Sequence, residues 1–595
     1  MGKAIKGGEF LIKETTNDKI FTPEEFNEEQ NMMKEAVVDF IDREVWPHKE
    51  RFEEGDYVFT EQCMDKIAEM GLLGVAVPEK YGGIGMDLIS TLLVTDYISA
   101  ASGSLGTAYG AHTGIGTMPI YLYGTEEQKQ KYLPGLTSGE TYGAYCLTEP
   151  GAGSDANSGK TTATLSDDGK TYKINGQKMW ISNAGFAKIF IVFARIEDDK
   201  NLTGFIIEYD KDNPNGITLG DEEKKLGIKS SSTRQVFFSD TIVPAENMLS
   251  ERGAGFKIAL NVLNIGRLKL GAACLDAGRR CITLSTQYAT ERKQFKTAIS
   301  NFGAIQKKIA DMATKNFVSE SGIYRATGDI KNLIDANIAN GVSHEEAELK
   351  AFSEYAIECA IIKVYASEVL QYVTDEGIQI FGGMGFSKDT PMESAWRDAR
   401  ITRIYEGTNE INRLLTVGML LKKAMKGEID LITPATKVGE SLMGIPSFDT
   451  PDYSETLSEE KAMITKLKDL FLLIAGKAVQ TFGMDLEKHQ QLILCAAEII
   501  IEVYMAESAI LRAEKMAKNG DAKGQIAMAQ LNLAKAIDKI TLVSKEAVAY
   551  LSEGDEQRML LMGVKRFTKY SNTPNIINLR KQIALQVIEA NKYCF

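Results

Sequence analysis

The chain has 595 residues, more than one hydrophobic core can serve, so several domains are expected. With 44% hydrophobic and 25% charged residues it has the composition of a folded globular protein and is neither disordered nor fibrous. A net charge of −13 excludes a general basic face for nucleic acid, so an anionic ligand would need a local basic pocket.

The N-terminus, Met1-Gly2-Lys3-Ala4-Ile5-Lys6, lacks the apolar run of a secretory signal, and Lys6 spoils a myristoylation pattern at Gly2. From about 23 to 145 the pattern is helical. Met33, Val37, Val38 and Ile41 recur at three- and four-residue spacing, as do Met64, Ile67 and Met70. Between 146 and 255 the texture becomes that of a compact β domain, with short runs at 171–174, 189–193, 204–207 and 235–238. Asp-Gly, Asn-Gly and Asn-Pro-Asn-Gly punctuate these runs as turns between antiparallel strands.

Helical periodicity returns over 256–430. Residues 431–457, with Pro434, Pro446 and Pro451, read as a linker. Over 458–595 a further helical domain is expected. Met463, Ile464, Leu467, Leu470, Phe471, Ile474 and Ala478 form one apolar stripe, and helices follow at 485–518, 524–550 and 577–592. The fold class is therefore α+β multidomain: helical, β, helical, then an extra helical extension.

Seven scattered cysteines form no Cys-x-x-Cys, and four histidines (His48, His112, His344, His489) are equally dispersed. No metal-ligand set is expected, and the thiols read as reduced. The most apolar stretches look too short or too interrupted by charge to span a bilayer. The expectation is a cytoplasmic protein, soluble or peripherally membrane-associated.

Two motifs carry chemistry. Tyr145-Cys146-Leu147-Thr148-Glu149-Pro150-Gly151-Ala152-Gly153-Ser154-Asp155 lies at the helix-to-β boundary. Its glycines expose backbone N–H groups and admit a planar or phosphorylated ligand, though glycine content alone fits an ordinary interdomain turn. In Lys178-Met179-Trp180-Ile181-Ser182, the Trp and Ser share one strand face, giving an aromatic wall and a hydroxyl. A Trp filling the β core is the plain alternative.

Together with Glu291-Arg292-Lys293-Gln294-Phe295, Gln379 through Phe386 and Tyr405-Glu406-Gly407-Thr408, these motifs resemble the acyl-CoA dehydrogenase family, in its order, over roughly 25–425. The C-terminal extension, Gly110-Ala111-His112 and Asn301 through Gln306 are most similar to its very-long-chain branch.

The resemblance implies FAD-dependent α,β-dehydrogenation of long-chain acyl-CoA to trans-2-enoyl-CoA in fatty-acid β-oxidation. Glu406 matches the base that takes the α-proton while the β-hydride goes to flavin N5. Burial would raise its pKa to roughly 6–7. Its backbone N–H and a ribityl hydroxyl would bind the thioester carbonyl. Some relatives carry the base directly before the arginine matched by Arg267; here that position is Gly266, which cannot serve.

By the same resemblance Tyr145, Leu147, Thr148, Trp180 and Ser182 contact the flavin. Arg292, Phe295, Gln306, Gln379, Gly382 and Gly383 hold the pyrophosphate and adenosine, partly across a subunit boundary, and Thr408 and Glu410 complete the cofactor site. Ser154, Asn264, Arg267 and Gly407 fall on the substrate side, with Arg267 orienting the Glu406 carboxylate.

Implied partners are the acyl-CoA, electron-transferring flavoprotein and a second copy in a homo-oligomer, a dimer favoured. Lys422, Lys423 and Lys426 suit contact with anionic lipid, or equally a solvated helix end. The alternatives are an acyl-CoA oxidase on this scaffold, or an assembly protein of low turnover.

Overall fold

Capping chemistry starts the N-terminal helices. Asn27 and Gln30 form a reciprocal capping box at helix Glu28–Phe40, and Thr125 and Gln128 form another at Glu126–Ser138. Asp56 and Asp87 cap Tyr57–Glu69 and Leu88–Ile98. The faces these helices bury include Val37, Met64 and Ile67 from the expected apolar sets. The computed structural model describes residues 5–443 and 453–595.

The β domain is an eight-stranded mixed sheet. Its longest strands, Thr171–Ser182 and Thr233–Pro244, pair antiparallel; Gly143–Cys146 pairs in parallel with Ile189–Ile196. All four expected β runs lie in strands. Asp168-Gly169 makes the expected turn, with Leu165 opposite Tyr172. Asn175-Gly176 does not: it is a register shift inside one strand. A side chain at Gly176, whose φ is 153°, would meet Thr161 Oγ1 at 2.5 Å, so close approach to the residue leading into the neighbouring strand, not chain reversal, explains this glycine.

Four long helices, Gly255–Ala273, Leu275–Glu291, Gly303–Ala339 and Ala356–Phe381, form the bundle behind the sheet. Among the described residues, Gly255–Glu291 is the stretch long and apolar enough to cross a membrane, contrary to the expectation that none would be. Its most apolar window is 72% buried inside the protein, as suits a core helix.

The extension buries every member of the expected stripe on helix Ser458–Phe482. Helices Gln490–Asn519, Lys523–Leu551 and Ile576–Ala590 follow, and Gly554–Phe567, which the sequence reading missed, lies between the last two. The expected linker also contains a helix, Ile432–Met443. Pro434 is tolerated in its first turn, where no intrahelical N–H is needed. Pro446 and Pro451 lie outside the described residues.

Residues 5–22, unassigned in the sequence reading, fasten the extension to the bundle. The Gly7 and Gly8 N–H groups donate to Glu354 and Glu358, and Phe10 packs edge-on against Tyr504 at 4.9 Å. Buried Arg512 ties Glu24 to Glu320 at 2.6 and 2.7 Å. Lys423 donates to Gly7 O and Glu354, which stitches that lysine to this segment, while Lys422 and Lys426 are exposed.

Candidate active site

Glu406 lies on the short loop between helices Met392–Ile401 and Asn409–Met425. It holds φ = 59°, and Gly407 follows at 81°. Two successive left-handed residues suit a glycine, while for a glutamate they cost on the order of 1–3 kcal/mol, so the surroundings must impose the shape. Three side chains do. Arg267 Nε donates to Glu406 O at 3.2 Å, Lys363 Nζ to Gly407 O at 2.8 Å, and Asn412 Nδ2 to Gly407 O and Thr408 O at 2.8 and 3.1 Å. Thr408 caps the next helix, its Oγ1 accepting from Ile411 N at 3.2 Å. Glu410 is exposed in that helix's first turn.

Arg267 therefore grips the backbone carbonyl of Glu406, not its carboxylate as expected; its other arm donates to Asn264 Oδ1 at 2.9 Å. Glu406 Oε2 is buried with no hydrogen-bond partner. Burial pushes the carboxyl up to about 7, against the opposing pull of the Arg267 and Lys363 cations. A carboxyl poised at that value and lacking a partner is equipped to take a proton at neutral pH.

The carboxyl borders a cavity of about 450 Å³. Small residues line one wall (Ser99, Gly103, Gly106, Thr107, Gly110), and Gly266, Leu270, Ala273, Cys274, Ala277 and Cys281 another; Ser182 and Tyr405 also face it. A Cβ built on Gly266 would lie 2.7 Å from Glu406 Oε2, so the glycine gives the carboxylate its room.

Trp180 is turned outward by a bulge. Upstream, Tyr172, Ile174 and Lys178 face the β core; after a register shift between Lys178 and Ile181, Ile181 does. Without the shift Trp180 would continue the inward set. With it, at φ = 59°, the indole is 52% exposed. Bulges re-aim side chains in this way next to active sites. The 145–155 loop is sewn to the same strand. Lys178 Nζ pairs with Glu149 at 2.6 Å and donates to Leu147 O at 3.3 Å, and Met179 N donates to Thr148 O at 3.0 Å. Tyr145 and Leu147 are buried, Ser154 is exposed, and Gly151 and Gly153 face open space.

Of the expected site residues, Glu406 and Ser182 line the cavity; the others do not. Arg292 and Phe295 are exposed on a tight hairpin, Phe295 by 89%. Gln379, Gly382 and Gly383 are exposed at the end of helix Ala356–Phe381, and Gln306 is half-buried, donating to Ser300 O.

Residues 27–140, 144–241 and 253–420 match the N-terminal, middle and C-terminal domains of acyl-CoA dehydrogenases, and 466–566 match a further acyl-CoA dehydrogenase C-terminal domain. The chain belongs to the acyl-CoA dehydrogenase family. It is 43% identical over 592 residues to a probable acyl-CoA dehydrogenase of Bacillus subtilis, covering 99% of this chain and 98% of that one. It is 40% identical over 409 residues to the human mitochondrial very long-chain specific acyl-CoA dehydrogenase, 67% of this chain and 59% of the relative. The crystal structure of a Bacillus anthracis acyl-CoA dehydrogenase complexed with FAD superimposes with a TM-score of 0.95 at 42% identity, covering 100% of both chains.

An acyl-CoA dehydrogenase is an FAD-dependent oxidoreductase, and the residues present suit that cofactor. The uncovered indole of Trp180, the open glycines of the 145–155 loop and the unpartnered buried hydroxyl of Tyr145 are what a flat polar ring system would engage. Sequence reasoning missed the loop anchors Lys363 and Asn412. Lys363 carried a signal, a lone charge in the apolar run Ala360-Ile361-Ile362-Lys363-Val364-Tyr365; Asn412 carried none.

Proposed function

We propose that the chain converts long-chain acyl-CoA to trans-2-enoyl-CoA, with Glu406 abstracting the α-proton. The observation that carries this reading is the unpartnered Glu406 Oε2 facing a cavity opposite a residue without a side chain. FAD, when bound between the Tyr145–Thr148 and Trp180–Ser182 segments, supplies the acceptor for the β-hydrogen and its bonding electrons. Arg267, Lys363 and Asn412 hold the loop so that the Glu406 N–H meets the thioester carbonyl, favouring the enolate that develops there. Ser154, Asn264 and Gly407 line the substrate's thioester end, and Ser182 lies on the flavin side.

The cavity wall supports a long acyl chain. From Gly266 to Cys281 the helical wall advances about 22 Å at 1.5 Å per residue. Tetrahedral carbons about 1.5 Å apart gain about 1.25 Å each, so roughly 18 carbons fit that length.

Arg292, Phe295, Gln379, Gly382 and Gly383 are exposed, which fits cofactor contact across a dimer, with Gln306, Thr408 and Glu410 completing that site. Electron-transferring flavoprotein is the proposed acceptor for the reduced enzyme; an oxidase would form peroxide without it. The decisive experiment is anaerobic flavin bleaching by acyl-CoAs of increasing length with wild type and Glu406→Gln. Both should carry yellow flavin and only wild type should bleach; normal bleaching by the Gln enzyme would refute the base.

A further inference from the structure

Lys269 is 5% exposed and lies one helical turn beyond Gly266, yet nothing in the chemistry above uses it. Its side chain lines the acyl cavity, and its Nζ donates to Thr113 Oγ1 at 2.7 Å. Thr113 sits in the π-helical turn Ala111–Gly116, a distortion often found at functional sites, and donates onward to Tyr109 O at 2.8 Å.

Behind Lys269 is a second cavity of about 60 Å³, lined by Asp87, Thr113, Lys331, Asp335, His344 and Glu348 among others. Lys269 is the residue the two cavities share among the described residues. Glu348 is 8% exposed and its Oε2 has no partner; Oε1 lies 3.4 Å from His344 Nδ1. The His344 side chain is 49% exposed, which brings the chamber to the surface. Apolar side chains make most of its wall, but it has room for water, and the polar groups that would hold a water there are the unpartnered Glu348 Oε2, Lys269 and Thr113.

A base that has taken a proton must release it. With an acyl chain and the cofactor in place the cavity is closed to bulk solvent, so the proton on Glu406 can leave only by way of water trapped beside it and the cavity wall. We propose that Lys269 and the hydrated chamber behind it carry the proton from Glu406 to solvent. This rests on Glu406 being the base.

The O–H bond on Glu406 breaks as a trapped water takes the proton and passes one to the neutral Lys269 amine. The resulting ammonium releases a different proton to the chamber water, which delivers it to the Glu348 carboxylate and out past His344. No electrons are transferred, and Lys269 returns to its neutral form.

Burial pushes Lys269 down to about 7 and Glu348 up to about 8, with Glu345 adding to the latter. Both therefore exchange protons near neutrality. On the other faces of Lys269 lie Tyr109, its ring 5.5 Å away, and His112, which is held neutral by burial. The chamber's charges are those of Asp87, Lys331, Asp335, His344 and Glu348.

The test uses holoenzyme in D₂O and an acyl-CoA with sulfur in place of the β-methylene, which can lose an α-proton but has no β-hydrogen to give. Exchange of the α-hydrogen is read by mass spectrometry, beside single-turnover flavin bleaching with an ordinary acyl-CoA. Glu348→Gln, outside the acyl cavity, should bleach at the wild-type rate while exchange slows at least about tenfold. Lys269→Met should lower the ratio of exchange to bleaching by a similar factor.

Wild-type exchange in Glu348→Gln, or equal loss of exchange and bleaching in Lys269→Met, would overturn the relay. Glu406→Gln is the control for the reading beneath it. If that variant still exchanges, the base is misassigned; if it alone stops exchange, the base stands and the relay falls.

Discussion

Replacing Gly266 by Ala tests whether the position of the Glu406 carboxylate, and not merely its presence, sets the rate. The new methyl would lie 2.7 Å from Oε2 and 3.0 Å from Cδ. Ordinary contact needs several tenths of an ångström more, so the carboxylate must move. That movement is cheap for folding, because the displaced group is the end of a flexible side chain. The helix interior itself gains up to about 1 kcal/mol from Gly to Ala. It is not cheap for proton abstraction, where displacements approaching 1 Å cost up to about a hundredfold. Gly266→Ala is therefore expected to unfold at the wild-type temperature or above while anaerobic bleaching slows roughly 10–100-fold, about 1.4–2.7 kcal/mol of barrier. Thermal unfolding and stopped-flow bleaching on one preparation read both quantities. An Ala enzyme that bleaches at the wild-type rate would refute the idea that this glycine makes room for the base.

Three further outcomes follow from the geometry. As the proposed base, Glu406 must be ionised, so bleaching should rise with pH through about 7 and level off above it. The sign for stability is opposite: burial favours the protonated carboxyl, so that contribution is full below about 4.5 and is lost as pH climbs through 7. A flat bleaching profile from pH 5.5 to 8.5 would contradict this. Trp180→Ala removes an indole that is 52% exposed, so stability should change by no more than about 0.5 kcal/mol. FAD affinity, measured by flavin fluorescence on dilution, should weaken roughly 3–10-fold through lost stacking. Arg512→Ala strands Glu320, which keeps Arg279, and Glu24, whose side chain is 35% exposed. The cost should fall below the usual 3–5 kcal/mol of a broken buried pair, at about 2–3 kcal/mol, visible as an unfolding temperature several degrees lower.

How far the site was legible in the sequence depended on the range of interaction that shapes each part. Glu406-Gly407-Thr408 is local: two left-handed residues followed by a helix cap need a glycine and a hydroxyl side chain at fixed places, and the tetrapeptide shows both. Helix Ser458–Phe482 was legible for a similar reason, since one face buries a stripe whose period the helix dictates. Trp180 was not. Strand alternation alone aims it into the β core, and only the register shift against Thr233–Pro244, a property of the pairing, turns it outward. Asn175-Gly176 fails for the same cause, because a glycine that accommodates Thr161 at the entry to a neighbouring strand looks identical in sequence to one that makes a turn.

Residues 5–22 were unreadable in another way. Phe10 and the Gly7 and Gly8 amides have no local pattern, and their meaning comes from Tyr504, Glu354 and Glu358, more than 340 positions away. The buried lysines are the instructive case, because their signal was present. Lys363 and Lys269 each interrupt an apolar run on a core helix, where an unpaired charge is too costly to be incidental. Lys363 donates to Gly407 O and Asn409 Oδ1 and so holds the Glu406 loop, which explains its burial. Lys269 has Thr113 as its hydrogen-bond partner and a second cavity, bordered by the unpartnered Glu348, at its back, so structural need accounts for less of it. That difference between two lysines of equal rarity is the reason to look for proton traffic at the second.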